Sequence, residues 1–380
     1  MKRRIALIIS VVLCMTMFIT ACSNDGSDGK VAGSDWEPIP EESIEPEATP
    51  EPEPEPTPEV VEGCYRSELT NEWIPEELKD QRPIAVMVDN EKTALPHYGV
   101  NDCDIVYEMM NSTLNNRITR LMCIAKDYEN IPRLGSVRST RPTNFMVMGE
   151  YDAILLHDGG PFYNDQYYAK DYVDHLSGGF ARIKNGKSSE FTEYITPEEY
   201  TNTDNKTYDG LLKRLEDAKI SRTYTSNYEG PHFSFSDEDY VMSLTMSTTS
   251  AKSVELPFPH NESKLKYNEE TGTYDYYVYG NAHEDAETGE ITSFKNVIIQ
   301  GVEHCQLDEN GYLIYNVIGS DDKGYFLTNG EAVPITWIKT TENGITQFIN
   351  SNTGKDIVLN TGKTYIAIVP TDSWKKLVIE

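Results

Sequence analysis

Positive charge is scarce in this 380-residue chain: 33 Lys and Arg face 62 Asp and Glu, a formal charge of −29. So acidic a chain repels phosphate backbones, which excludes a nucleic-acid binder. Long apolar runs are also lacking. Ile5 to Ile19 approaches a membrane span, but its roughly 15 residues fall short of the roughly 20 that a spanning helix needs. The 7 histidines are scattered without ligand spacing, and the 6 cysteines form no C-x-x-C or zinc pattern. No metal or cofactor is therefore expected. The chain has no G-x-S-x-G, H-E-x-x-H, P-loop or G-x-G-x-x-G signature.

What is present begins at the amino terminus. Lys2, Arg3 and Arg4 precede the apolar run, and Ile19-Thr20-Ala21-Cys22 fits a lipobox. Residues 1–22 therefore read as a lipoprotein signal, cleaved so that Cys22 becomes the first residue and carries diacylglycerol. Two acyl chains hold a membrane far better than one. The expected location is the outer face of a bacterial cell membrane.

Residues 23–62 read as a linker. They hold 8 of the 20 prolines, and Glu and Pro alternate from Glu51 to Pro56. Proline fixes φ and like charges repel, so an extended spacer is expected. The linker carries −12 and the remaining head, from Gly63, carries −20. The head is acidic in its own right.

The head reads as two domains in an α+β chain. Residues 63–230 suggest an α/β domain with a largely parallel or mixed sheet. Pro83–Asp89, Asp104–Met110, Arg120–Ala125 and Asp152–His157 are near-continuous apolar runs, the pattern of strands covered on both faces. Pro142–Glu150, Asp165–Leu176 and Thr207–Ala218 read as helices, the last capped by Asp204 or Asn205. Residues 231–380 alternate short strands with Asn/Gly turns such as Thr328-Asn329-Gly330. A mostly antiparallel β domain, a sandwich or barrel, is expected there. Cys64, Cys103, Cys123 and Cys305 leave room for one disulfide whose pair the spacing does not name.

Against the acidic background, Arg117 to Pro142 holds five arginines: Arg117, Arg120, Arg133, Arg138 and Arg141. Ser139 or Thr140 could cap a helix opened by Pro142, and free N–H groups there would join the guanidinium forks in holding an anion. The competing reading pairs these arginines with the head's own Asp89, Asp104, Glu108 or Asp152. Next, His157-Asp158-Gly159-Gly160 follows a strand, where ligands approach α/β sheets. Arg120, Arg138, Ser139, Arg141, His157, Gly159 and Gly160 are the candidate ligand contacts. Tyr163, Tyr167, Tyr168 and Tyr172 read as packing, with stacking on wall glycans as the alternative.

Together these segments resemble the YerB-like family of bacterial lipoproteins. The resemblance is carried by Arg82–Asn90, Asp104–Glu108, Ile118–Arg120, Gly135–Pro142 and Glu150 through Gly160, and then by Asn296–Ile299, Trp337–Lys339 and Gly362–Pro370. It implies an anchored two-domain envelope protein and supplies no reaction. Two departures stand out: Pro161 where the family has Ser after Gly-Gly, and Pro197-Glu198-Glu199 before Tyr200-Thr201 where it has a His. The expected function is non-catalytic binding of an anionic cell-wall component or an envelope protein. The alternatives are an enzyme acting on a phosphate- or carboxylate-bearing substrate, with His157 or Asp158 as acid/base, and a scaffold that binds proteins by a sheet edge.

Overall fold

The computed structural model describes residues 61–380. The signal, Cys22 and the linker up to residue 60 lie outside the described residues. Among the described residues no helix is long and apolar enough to cross a membrane.

A twelve-stranded mixed sheet runs through the molecule. The four apolar runs supply β1 (Ile84–Asp89), β2 (Ile105–Met110), β3 (Thr119–Ala125) and β4 (Ile154–His157), every residue of them buried. In β1, Ala85 and Met87 enter one core while Ile84, Val86 and Val88 enter the other. That alternation with both faces covered is why the sequence reads as unbroken apolar runs. β3 lies antiparallel between β1 and β2, and β4 runs parallel to β1. The amino-terminal part of the sheet is therefore mixed.

The carboxyl-terminal half departs from an independent sandwich or barrel. β6 (Asn296–Val302) and β7 (Thr364–Pro370) pair parallel, and β7 continues in parallel register onto β2, with Thr364 opposite Ile105 and Ile368 opposite Met109. Residues on either side of position 230 thus share one sheet. Ser234–Phe235 also pairs parallel with Val358–Leu359, while most other carboxyl-terminal pairs are antiparallel, and the Asn/Gly segments 268–272 and 328–330 close hairpins as expected. One such hairpin belongs to a six-stranded sheet. Its Leu265, Tyr274, Tyr276 and Val278 pack into the same core as Val86 and Val106, covering one face of the large sheet.

The opposite face is covered by α1 (Pro142–Gly149), which is buried on all sides. Pro142 opens it, and the Asn144 side-chain Oδ1 accepts from the Arg141 backbone N–H at 2.9 Å. The cap is thus supplied from inside the first turn, not by Ser139 or Thr140. The other two helices are shorter than expected. α2 covers only Asp165–Tyr168, because Asp174–Ser177 forms β5 and completes the ladder beside β4. α3 begins at Leu211, because Thr207–Tyr208 pairs back onto Tyr200–Thr201. Asp204 and Asn205 turn that small hairpin, and Gly210 caps α3 in their place. A Cβ at Gly210 would lie 2.3 Å from the Pro197 carbonyl oxygen. Cys64, Cys103, Cys123 and Cys305 are all unpaired.

Candidate anion-binding site

The ladder between β1 and β4 ends at Val86 opposite Leu156. Beyond it the two strands splay, and Ser136–Thr140 wedges between them. Asp89 N donates to Ser136 O and Arg138 N to Met87 O on one side. On the other, Asp158 N donates to Arg138 O and Thr140 N to Gly159 O. The arginine loop therefore sits at the carboxyl ends of two parallel strands, where side chains of several elements converge.

Three of those side chains are arginines. Arg120, the second residue of β3, lies opposite Asp89 and is 6% exposed; Arg141 is 8% exposed. Arg120 Nη1 donates to Asn111 Oδ1 at 2.8 Å, to Ser139 O at 2.5 Å and to Ser139 Oγ at 3.0 Å. Arg141 Nε donates to Asn111 O at 3.0 Å, and its Nη1 donates to Ser139 Oγ at 3.1 Å and Thr140 O at 2.9 Å. Its guanidinium also lies 4.8 Å from the centroid of the Tyr312 ring. Both arginines thus share Asn111 and Ser139. Burial and the neighbouring cations hold their pKa values below the usual guanidinium range, at about 10 for Arg120 and about 9 for Arg141.

Of the five arginines, Arg138 takes one of the expected carboxylates, and Arg117 and Arg133 take others. Arg138 Nε lies 2.8 Å from Asp89 Oδ2, and its Nη2 lies 3.4 Å from Glu190. Arg117 pairs with Asp372 and Arg133 with Glu287. Asp152 is taken by Arg82, Asp104 accepts from the Lys126 amide, and Glu108 is buried among hydroxyls on the other face of the sheet. Among the described residues, Arg120 and Arg141 form no ion pair with a carboxylate, and Arg120 Nε has no hydrogen-bond partner. The amides expected to hold an anion are themselves engaged, Thr140 N by Gly159 O and Arg141 N by Asn144. The capacity for an anion therefore lies in guanidinium groups.

His157 makes its contacts away from the guanidinium groups. Its Nδ1 lies 2.8 Å from Gly159 O and its Nε2 lies 3.1 Å from His175 Nδ1, so both ring nitrogens are engaged. Burial, helped by His175, lowers its pKa to about 4, and the ring is neutral at pH 7. Asp158 is drawn to Arg182 at 3.2 Å, beside the buried Glu193. Gly159 turns with φ of 74°, and a Cβ on Gly160 would lie 2.1 Å from Asn164 Nδ2. These glycines shape the wall beside Thr140. Tyr167 stacks on Phe145 and Tyr168 on His157, so they serve packing. Asn111 and Tyr312 were missed by sequence reasoning. Asn111 directly follows a legible strand, but nothing near Tyr312 points to an arginine 171 positions away.

Residues 69–219 match the N-terminal domain, and residues 254–366 the C-terminal domain, of a protein family of unknown function, DUF3048. The chain belongs to that family. It is 23% identical over 314 residues to "Putative lipoprotein YerB" of Bacillus subtilis (strain 168), covering 80% of this chain and 86% of that one. The crystal structure of the YerB protein from Bacillus subtilis superposes with a TM-score of 0.67 at 21% identity, over 83% of this chain and 99% of that one. The fold is shared.

Proposed function

We propose that this chain is a lipid-anchored binding protein of the bacterial cell envelope, holding an anionic ligand on Arg120, Arg138 and Arg141. The lipobox at Cys22 and the likeness to a relative named as a lipoprotein support the anchor. The Glu/Pro linker serves as the spacer, and the outer membrane face is the location. Ser139 orients both buried guanidinium groups, and Gly159 and Gly160 border the site. The ligand is a cell-wall component or an acidic group of an envelope protein. The reading rests on one observation: two arginines more than nine-tenths buried converge without an ion pair to a carboxylate among the described residues. A buried cation without a counter-ion is destabilising, and an anion relieves it. Binding is the function this supports, because the Ser139 hydroxyl beside the guanidinium groups accepts from both of them and so serves to orient them.

The test is binding of inorganic phosphate and of isolated cell-wall fractions to the wild type and to Arg138→Ala/Arg141→Ala. Circular dichroism reports the fold. Binding is expected to be lost. Arg138→Gln, at a side chain 30% exposed, tests the same point where the double variant fails to fold. Unchanged binding in a folded variant overturns the proposal.

A further inference from the structure

The charge and the rim of this site narrow its ligand. Asp89 is the buried carboxylate of the site, 2.8 Å from Arg138 and opposite Arg120, while Glu190 is half exposed; three guanidinium groups against one buried carboxylate leave a surplus of two positive charges. A phosphate monoester carries about −1.5 to −2 at neutral pH and offers several acceptor oxygens, so it matches two guanidinium groups; a carboxylate leaves one over.

Three loops meet around Arg141, and two of them expose a large apolar side chain. Leu114, 46% exposed, follows Asn111, whose carbonyl holds Arg141 Nε. It also packs on Gly311, where a Cβ would come within 2.7 Å of Leu114 Cγ, and Gly311 adjoins Tyr312 beneath Arg141. Phe162, 70% exposed, lies on the loop whose Asn164 donates to Thr140 O. Its ring sits 4.0 Å from that of Tyr163, and the Tyr163 hydroxyl donates to Leu307 O, tying this loop to the one that carries Tyr312. Large apolar groups left in water beside a charged site favour a ligand that covers them.

We propose that the ligand is a phosphate monoester with an apolar ester arm, its phosphate on Arg120, Arg138 and Arg141 and its arm across Phe162 and Leu114. This rests on the arginine reading above. The test titrates the full chain, held in phosphatidylcholine nanodiscs, with phenyl phosphate, inorganic phosphate, glycerol phosphate and benzoate. Phenyl phosphate is expected to bind about tenfold tighter than inorganic phosphate or glycerol phosphate, as burial of part of one ring provides. In Leu114→Ser/Phe162→Ser that advantage is expected to disappear while inorganic phosphate binds as before. Equal binding of the phosphates by the wild type, or an advantage that survives in the rim variant, overturns the apolar arm. Benzoate binding as tightly as phenyl phosphate overturns the phosphate head. If no probe binds, the arginine reading itself fails, a result distinct from the loss of preference alone. Nanodiscs containing phosphatidic acid separate a lipid from a soluble ester: competition with phenyl phosphate supports the lipid form, and its absence with the preference intact supports the soluble one.

Discussion

Glu108 lies in β2 with no exposed surface, on the face opposite the arginines. Its Oε1 accepts from Thr119 Oγ1 at 2.6 Å, Ser263 Oγ at 2.6 Å and Asn90 Nδ2 at 3.3 Å. Its Oε2 accepts from the hydroxyls of Tyr276, at 3.0 Å, and Tyr365. The donors come from both halves of the chain, so this one side chain ties them together. Replacement by Leu removes all five acceptor contacts. Asn90 keeps Thr119 and Tyr276 as partners, and Ser263 keeps Tyr276, while Tyr365 loses its only side-chain partner. At about 1–3 kcal/mol for each polar group left unsatisfied, Glu108→Leu should lose about 3–6 kcal/mol, a large part of a typical domain's stability. The assay is urea unfolding with Tyr365→Phe as the second arm of a double-mutant cycle. Tyr365→Phe alone should destabilise by about 1.5–3 kcal/mol, yet be neutral or stabilising in the Glu108→Leu background, where it removes an orphaned hydroxyl. Glu108→Gln gives the pH test. Burial raises the Glu108 pKa, so the folded state holds its proton more tightly than the unfolded chain. Stability from this group is complete below the unfolded value of about 4.3 and is lost as pH rises through the folded value. The wild type should therefore lose stability relative to Glu108→Gln as pH rises from about 4.3. Equal stability of Glu108→Leu and wild type, or additive effects in the cycle, would refute the reasoning.

Four further outcomes are expected. Gly160→Ala should destabilise by about 1–3 kcal/mol through its clash with Asn164. Gly159→Ala meets open space and should lose about 1–2 kcal/mol from its left-handed backbone alone; urea midpoints decide both, and a neutral Gly160→Ala contradicts the close approach. Glu193 is pushed up to about 7, by burial first and then by Asp158. Its contribution is present below about 4.3 and is lost as pH rises through the folded value, so Glu193→Gln should gain on the wild type across that window in a pH series of melting curves. Arg82→Met strands the buried Asp152, 3.4 Å from Arg82 Nη2, and should cost about 3–5 kcal/mol on thermal or urea unfolding.

The sequence pattern reached strands buried on both faces because an unbroken run such as the one ending at Asp89 has few other uses. It could not reach their neighbours. β7 lies beside β2 although about 260 residues separate them, and periodicity carries no information about partners. Neighbours also explain the short helices: the stretch 170–176 is compatible with a helix until the open edge of β4 offers Asp174–Ser177 a ladder. The arginine cluster was visible as composition, but sequence could not sort its members, since pairing is decided by which face of a strand each side chain takes. Arg120 shares its face with Met122 and Asp89, while Glu108 shares the other face with Val106. A candidate counter-ion one strand away is thereby put out of reach, on the far side of the sheet. Strand alternation thus separates Arg120 from Glu108, and Asp89, the carboxylate on its own face, pairs with Arg138. Among the described residues neither Arg120 nor Arg141 forms an ion pair with a carboxylate, and it is on this that the proposed anion rests.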